Sequence, residues 1–239
     1  MNKMILILLL FPLALLSQSV MSQSIPSSSR SKIAINNQTP LLQKEFNKSG
    51  FMWGNPVYIR IFKQEAELEI WIKDNEKFNL FRTYPICTFG FGGLGPKLAE
   101  GDGKAPEGFY FVKANQLNPY SSYHLSFNLG FPNQYDRAHQ RTGSALMVHG
   151  NCVSVGCYAM TDEKIEEIYT IVDAALSKGQ SFFRVHVFPF KMTEENMNKH
   201  KDSEWFEFWQ NLKQGHDYFE ANNFNPPNVK VLNKSYVFE

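Results

Sequence analysis

Two short runs limit what this chain can fold into. Val57–Phe62, VYIRIF, alternates along its length, and Glu67–Ile72, ELEIWI, puts Leu68, Ile70 and Ile72 on one side of an extended strand. A side-chain period of two gives a helix no continuous apolar stripe, so both runs call for a sheet with a covered face. Asp74-Asn75 supplies turn chemistry before a third run, Phe78–Pro85, which carries Leu80 and Phe81 and leads to Cys87. Gly108–Lys113 and Ser122–Phe127 read as further strands. Ala145–Val148 reads as a short apolar strand that delivers His149 at its end. Between them, Gly90–Gly103 holds so many glycines, with Pro96, that it must be a loop, and a loop of that length in a compact domain is usually functional or disordered.

After Cys157 the period changes. Thr161 is a good N-cap, Asp162 and Glu163 place negative charge in a first turn, and Ile165, Ile168, Val172 and Leu176 share one helical face that Gly179 ends. Phe182–Phe188 returns to strand. A second helix is expected from a Thr193 cap through Trp205, Phe208, Trp209 and Leu212, and a last strand at Asn228–Leu232. At this spacing Trp205, Phe206, Phe208 and Trp209 read as core. Many strands, one or two helices and a loop-rich middle define a mainly β or α+β domain.

The N-terminus reads as a targeting segment. Lys3 precedes an almost wholly apolar Met4–Leu16, and small residues follow, so residues 1–22 form a secretory signal peptide cut after Val20-Met21-Ser22. The run is too short to span a bilayer, and no cysteine follows it to take a lipid. Residues 23–40, rich in Ser, Asn and Gln, read as a flexible leader, and residues 41–239 as one domain. Cleavage leaves 217 residues whose 43% hydrophobic and 15% aromatic content over the whole chain supports a substantial core. A net charge of +1 gives no basis for binding nucleic acid or an anionic membrane. No later apolar run could span a bilayer, so a soluble exported protein is expected.

The segment Met147–Met160, MVHGNCVSVGCYAM, concentrates the chemistry. His149 and Cys157 lie eight positions apart, and Ser154, Val155 and Gly156 lead into the cysteine. A thiol needs a base to become a strong nucleophile, an imidazole can serve, and a glycine lets the backbone turn sharply beside it. Cys157 lies four residues before the Thr161 cap, where helix N–H groups would lower a thiol pKa and, with the Cys157 N–H, donate to an oxyanion. His149, Cys152 and Cys157 match structural zinc spacing poorly, and Gly90–Gly95 lacks the Gly-Lys-Ser/Thr ending of a phosphate loop, so neither metal nor nucleotide is expected. Three cysteines leave one unpaired. If Cys157 is the free one, Cys87 and Cys152 either pair or are buried as small hydrophobes. His124 is placed on a strand as a packed or surface histidine, and His186 opposite Val185 and Val187 as structural or solvent-facing.

The run HGNCVSVGC resembles the active-site motif of the L,D-transpeptidase (YkuD-type) domain. His149-Gly150 and Ser154-Val155-Gly156-Cys157 match it position by position. LGPK at Leu94–Lys97, Gly101-Asp102, APEGFY at Ala105–Tyr110, CYAM at Cys157–Met160, Phe188–Phe190 and WFEFWQNLK at Trp205–Lys213 resemble one branch, which includes the periplasmic enzyme that cuts the amide between diaminopimelate and the terminal lysine of a lipoprotein. The resemblance covers roughly residues 41–238. It implies a β-sandwich with a cradle-like cleft, Cys157 as nucleophile, His149 as proton-transfer residue, and Ser154, Gly156 and the Cys157 backbone at the oxyanion. Gly150, Asn151 and Tyr158 flank these and join the oxyanion and substrate-binding set. No cofactor or metal is implied. The implied partners are peptidoglycan stem peptides and an outer-membrane lipoprotein, in the periplasm. Two departures stand out: the insert between the histidine and the Ser-x-Gly-Cys element is short, and Ala159 stands where many members carry Arg or Asn. The anionic end of the substrate is then left to another cation, with Lys97, Arg141 and Arg184 as candidates.

Overall fold

A computed structural model describes residues 24–239, so the expected signal peptide at residues 1–22 lies outside the described residues. The elements follow in the order α1 (Ser29–Lys48), β1 (Val57–Phe62), β2 (Glu67–Asp74), β3 (Lys77–Pro85), β4 (Gly108–Val112), β5 (Leu117–Asn118), β6 (Ser126–Asn128), α2 (Gln134–Ala138), β7 (Met147–His149), β8 (Tyr158–Ala159), α3 (Asp162–Ser177), β9 (Phe183–Phe188), α4 (Glu194–Lys199), α5 (Phe206–Ala221), β10 (Val229–Leu232) and β11 (Ser235–Phe238). A five-stranded sheet runs β3-β2-β1-β9-β4, antiparallel except for the parallel β1–β9 pair. A four-stranded sheet runs β5-β6-β7-β8 and ends in a parallel β7–β8 pair. The two sheets share one core with α1 and α3. This is the mainly β, α+β class expected from the sequence, with more helices: five α-helices stand among the described residues.

The alternation of β1 reads as half-buried, yet all six of its residues are buried. Val57, Ile59 and Ile61 face α3, where Ile165, Ile168 and Val172 sit on the predicted stripe. On the other face Phe62 meets Phe188, Trp209 and Leu212, and Tyr58 meets Phe219, so α5 covers the second side of the sheet. Arg60 tolerates that burial by pairing with Glu69 at 2.8 Å and Glu220 at 2.7 Å. His186 does face opposite Val185 and Val187, but into this layer: it is buried, with Tyr58 Oη at 2.9 Å from Nδ1.

Three expectations need correction. The composition of residues 23–40 predicts a flexible leader, but helix α1 occupies Ser29–Lys48. Ser28 and Ser31 form a capping box, and Ala34, Leu42 and Phe46 are buried on α1. Apolar residues eight and four apart are diluted by Ser, Asn and Gln, so composition hides a stripe that α3 covers. The Thr193 helix forms but stops at Lys199, and α5 starts afresh after Trp205. Ser203 Oγ accepts from Trp205 N at 3.2 Å, a local turn that competes with continuous helix. Ser122–Phe127 is strand only from Ser126, and His124 sits in a turn at φ +67°.

The glycine-rich segment keeps its predicted loop character but is tied down. Lys63 is fully buried and donates to Gly95 O at 2.9 Å, Ala105 O at 3.1 Å and Glu107 Oε1 at 2.9 Å. Glu107 also accepts from Gly95 N and from Trp209 Nε1, each at 2.8 Å. Two buried charges satisfy each other and clamp both ends of the strap from Gly95 to Ala105.

Candidate active site

His149 ends β7 and Cys157 immediately precedes β8, and the parallel register Val148–Tyr158 and His149–Ala159 sets Cys157 level with Met147, two residues from His149 along the edge of the smaller sheet. The backbone between them turns tightly. Gly150 packs so closely that a Cβ there would lie 2.5 Å from Asp162 Oδ1 and 2.9 Å from His124 Cβ. Gly156 sits at φ +139°, which an L side chain rarely adopts. Cys87 and Cys152 form a disulfide, resolving the pairing that spacing left open, and Cys157 is the free thiol. That bridge fastens the turn to the end of β3. Hydrogen bonds from Cys87 N to Ala159 O and from Ala159 N to Thr88 O reinforce it.

The imidazole is oriented by its own turn. His149 Nδ1 lies 2.7 Å from Gly150 O. A carbonyl only accepts, so Nδ1 carries the proton and Nε2 holds a free lone pair. The Tyr123 ring packs on the imidazole with centroids 4.7 Å apart. Burial holds the His149 pKa below its ordinary value, opposed by the bond to Gly150 O. Burial pushes the Cys157 thiol up, opposed by the Met147 N–H and the charge of Lys97. The resting site therefore pairs a neutral imidazole with a protonated thiol, which suits general-base activation at the moment of attack. Cys157 Sγ accepts from Met147 N at 3.4 Å and donates to Ala145 O at 3.5 Å.

The expected lowering of the thiol pKa by the α3 N-terminus is not found. Strand β8 and Met160 intervene, and Thr161 Oγ1 accepts from Lys164 N as the helix cap. The oxyanion expectation is also altered. Ser154 Oγ accepts from Cys157 N at 2.7 Å and from Gly156 N at 3.1 Å, and donates to Cys157 O at 2.7 Å. Ser154 thus shapes the turn into Cys157, and it occupies the very N–H groups expected to face an oxyanion.

His149, Ser154, Gly156 and Cys157 line one open cleft of about 350 Å³. Three other members of the predicted set do not. Tyr158 is fully buried and donates to Pro106 O at 2.7 Å, because its β8 position points into the core. Gly150 is a close-packing residue, and Asn151, at φ +65°, donates its N–H to Asp162 Oδ1 at 2.7 Å. Ala159 is buried in the sheet. Of the three candidate cations, only Lys97 lines the cleft. Arg141 pairs with Asp136 at 2.8 Å, and Arg184 lines a separate cleft with Phe182 and Asn228.

Sequence reasoning missed Tyr123, Glu100, Ser144 and the exposed Val153 and Val155, all of which line the cleft. Tyr123 has no local signal. It is delivered by Gly150 N donating to Tyr123 O and by Arg30 of α1 donating to Ser121 O and His124 O. His124 itself turns away, with Nε2 2.8 Å from Glu166 Oε1. Among the described residues, no group of three or more His, Cys, Asp or Glu could hold a metal ion, and no helix is long and apolar enough to cross a membrane.

A thiol, an oriented imidazole and a Ser-x-Gly-Cys turn in one cleft define a class, and the chain belongs to it: the L,D-transpeptidase catalytic domain (YkuD) family matches residues 56–187. The chain is 49% identical to "Putative L,D-transpeptidase YafK" of Escherichia coli (strain K12) over 199 residues, 83% of this chain and 79% of that protein. Among solved structures, the helical cell shape determining protein Pgp2 (K307A mutant) of Campylobacter jejuni aligns at 19% identity and a TM-score of 0.47, over 71% of this chain and 59% of that one. Bd1075 of Bdellovibrio bacteriovorus aligns at 18% identity and a TM-score of 0.43, over 71% of this chain and 61% of that one.

Proposed function

We propose that this protein is a periplasmic cysteine acyl-transfer enzyme that acts on meso-diaminopimelate peptidoglycan stems and cuts the amide joining diaminopimelate to a lipoprotein lysine. The observation that carries the reading is the shared cleft of Cys157 Sγ and a His149 whose Nδ1 is committed to Gly150 O. Nε2 takes the thiol proton as sulfur attacks the carbonyl on the L-centre of diaminopimelate. The tetrahedral intermediate collapses as the imidazolium returns that proton to the leaving lysine amine. Water, deprotonated by the same Nε2, then opens the thioester. The Gly156 and Cys157 N–H groups serve the oxyanion once they exchange Ser154 Oγ for substrate. Ala159 supports cleavage over cross-linking, because the polar group that holds substrate in many transpeptidases is replaced by a buried methyl.

The test is mass analysis of products from two substrates offered separately. Lipoprotein-linked muropeptides should yield a free lipoprotein lysine and a tripeptide stem. Cross-linked stem dimers from tetrapeptides, with the lipoprotein amide untouched, would overturn the assignment in favour of transpeptidation. No product from either, with Cys157 unmodified, would leave a peptidoglycan-binding module.

A further inference from the structure

The strap that walls the cleft carries two opposite charges three positions apart, Lys97 and Glu100. Lys97 is 4% exposed yet lines the cleft with Cys157 and His149. Its ammonium has three N–H donors. One goes to Asp102 Oδ1 at 2.7 Å and one to Ala99 O at 3.0 Å; among the described residues the third has no protein partner. Asp102 does not depend on Lys97 alone. It also accepts from Leu98 N at 2.7 Å and from Ala99 N and Lys104 N at 3.0 Å. Burial works to raise its pKa, but the bond from Lys97 and those backbone N–H groups bring it down to about 2. Lys97 is thereby held in place with one donor to spare. Glu100, on the same wall, is exposed and makes no ion pair among the described residues.

We propose that Lys97 and Glu100 are a receptor for the zwitterionic amino-acid end of the acyl donor, Lys97 taking its carboxylate and Glu100 its ammonium. The inference rests on the acyl-transfer reading of the cleft. It deepens that reading by naming what the donor must carry besides the scissile carbonyl: a carboxylate and an ammonium on one carbon, unblocked. A diaminopimelate joined through one of its two centres has such an end at the other. Neither of the other two candidate cations lines this cleft: Arg141 pairs with Asp136 and stacks on Tyr135 and Phe208, and Arg184 lines a different cleft.

The test uses three soluble stems that differ at one end only: free zwitterion, carboxylate converted to carboxamide, and ammonium acetylated. Binding is measured calorimetrically to the full-length Cys157→Ala protein, and turnover with the wild type. Desolvated charge-assisted hydrogen bonds make the Lys97 contact the stronger, so the carboxamide should bind about tenfold to hundredfold more weakly than the zwitterion. The acetylated stem should lose only about threefold, since Glu100 is solvated. Lys97→Met should erase the carboxamide penalty and keep the acetyl penalty, and Glu100→Gln should do the reverse. Should Lys97→Met fail to fold, Lys97→Met/Asp102→Asn removes both charges together and serves instead. Equal binding of all three stems by the Cys157→Ala protein, or a carboxamide penalty that survives loss of Lys97, overturns the receptor. Selective binding without turnover by the wild type would leave the receptor standing and remove the catalytic reading.

Discussion

Lys63→Met should be among the most damaging single substitutions outside the cleft. Its ammonium is fully buried and spends all three N–H groups on Gly95 O, Ala105 O and Glu107 Oε1. Burial lowers the Lys63 pKa, opposed by the Glu107 charge, so the pair survives only because each partner compensates the other. Methionine matches the stem but strands an anionic Glu107 in the core. Removing one member of a buried pair costs about 3–5 kcal/mol. For a domain of this size that is roughly 6–20 °C of melting temperature. The assay is a double-mutant cycle by urea denaturation with Lys63→Met, Glu107→Gln and both together. Glutamine keeps an acceptor for Gly95 N or Trp209 Nε1, so the double variant should recover about 2 kcal/mol of the single loss. A loss below about 1 kcal/mol for Lys63→Met, or strictly additive singles, would refute the argument that this pair clamps the strap.

Three further outcomes follow from the same structure. The Cys87–Cys152 bridge spans 65 residues, so Cys87→Ala/Cys152→Ala should cost about 4 kcal/mol on the loop-entropy model; unchanged stability, or three titratable thiols in unreduced denatured protein, would contradict the bridge. Ser154→Ala should slow acylation roughly 10–100-fold with little change in melting temperature, because Ser154 Oγ sets the turn into Cys157 through Gly156 N, Cys157 N and Cys157 O; wild-type acylation kinetics in that variant would contradict this role. Burial lowers the pKa of His149, His186 and His216 in the folded state. Below about pH 6.5 the unfolded chain binds more protons, so stability falls as pH drops, by up to about 3 kcal/mol between pH 6.5 and 5.5. Denaturation midpoints that hold steady across that window would contradict the burial of neutral imidazoles.

The sheet strands and helix α3 were legible because their signals are local. The Leu68, Ile70 and Ile72 alternation and the Ile165, Ile168, Val172 and Leu176 stripe each report burial within one element. Helix α1 was not, because Ala34, Leu42 and Phe46 are too sparse to mark a helix without α3 against them. The burial of His186 likewise depends on Tyr58 and Phe109, which lie distant in sequence. At the cleft, His149 and Cys157 could be read from one short motif. Tyr123, Lys97 and Glu100 reach the same cleft through loops held by long-range bonds such as Arg30 to His124 O and Lys63 to Gly95 O. The Ser154 result shows the limit most plainly: spacing put the Cys157 N–H at the site, and only geometry showed it already bonded.

The central claim is that Cys157 carries the acyl group, with His149 moving the proton. It is tested most directly by intact-protein mass spectrometry after rapid quenching in acid, with lipoprotein-linked muropeptide as donor. The wild type should gain the mass of the stem acyl group on the Cys157 peptide within the first turnover and lose it as water resolves the thioester. His149→Ala should form that adduct orders of magnitude more slowly, and Cys157→Ala should not form it at all while melting as the wild type does. Product release at wild-type rate by Cys157→Ala, or an adduct on any other residue, would contradict the account.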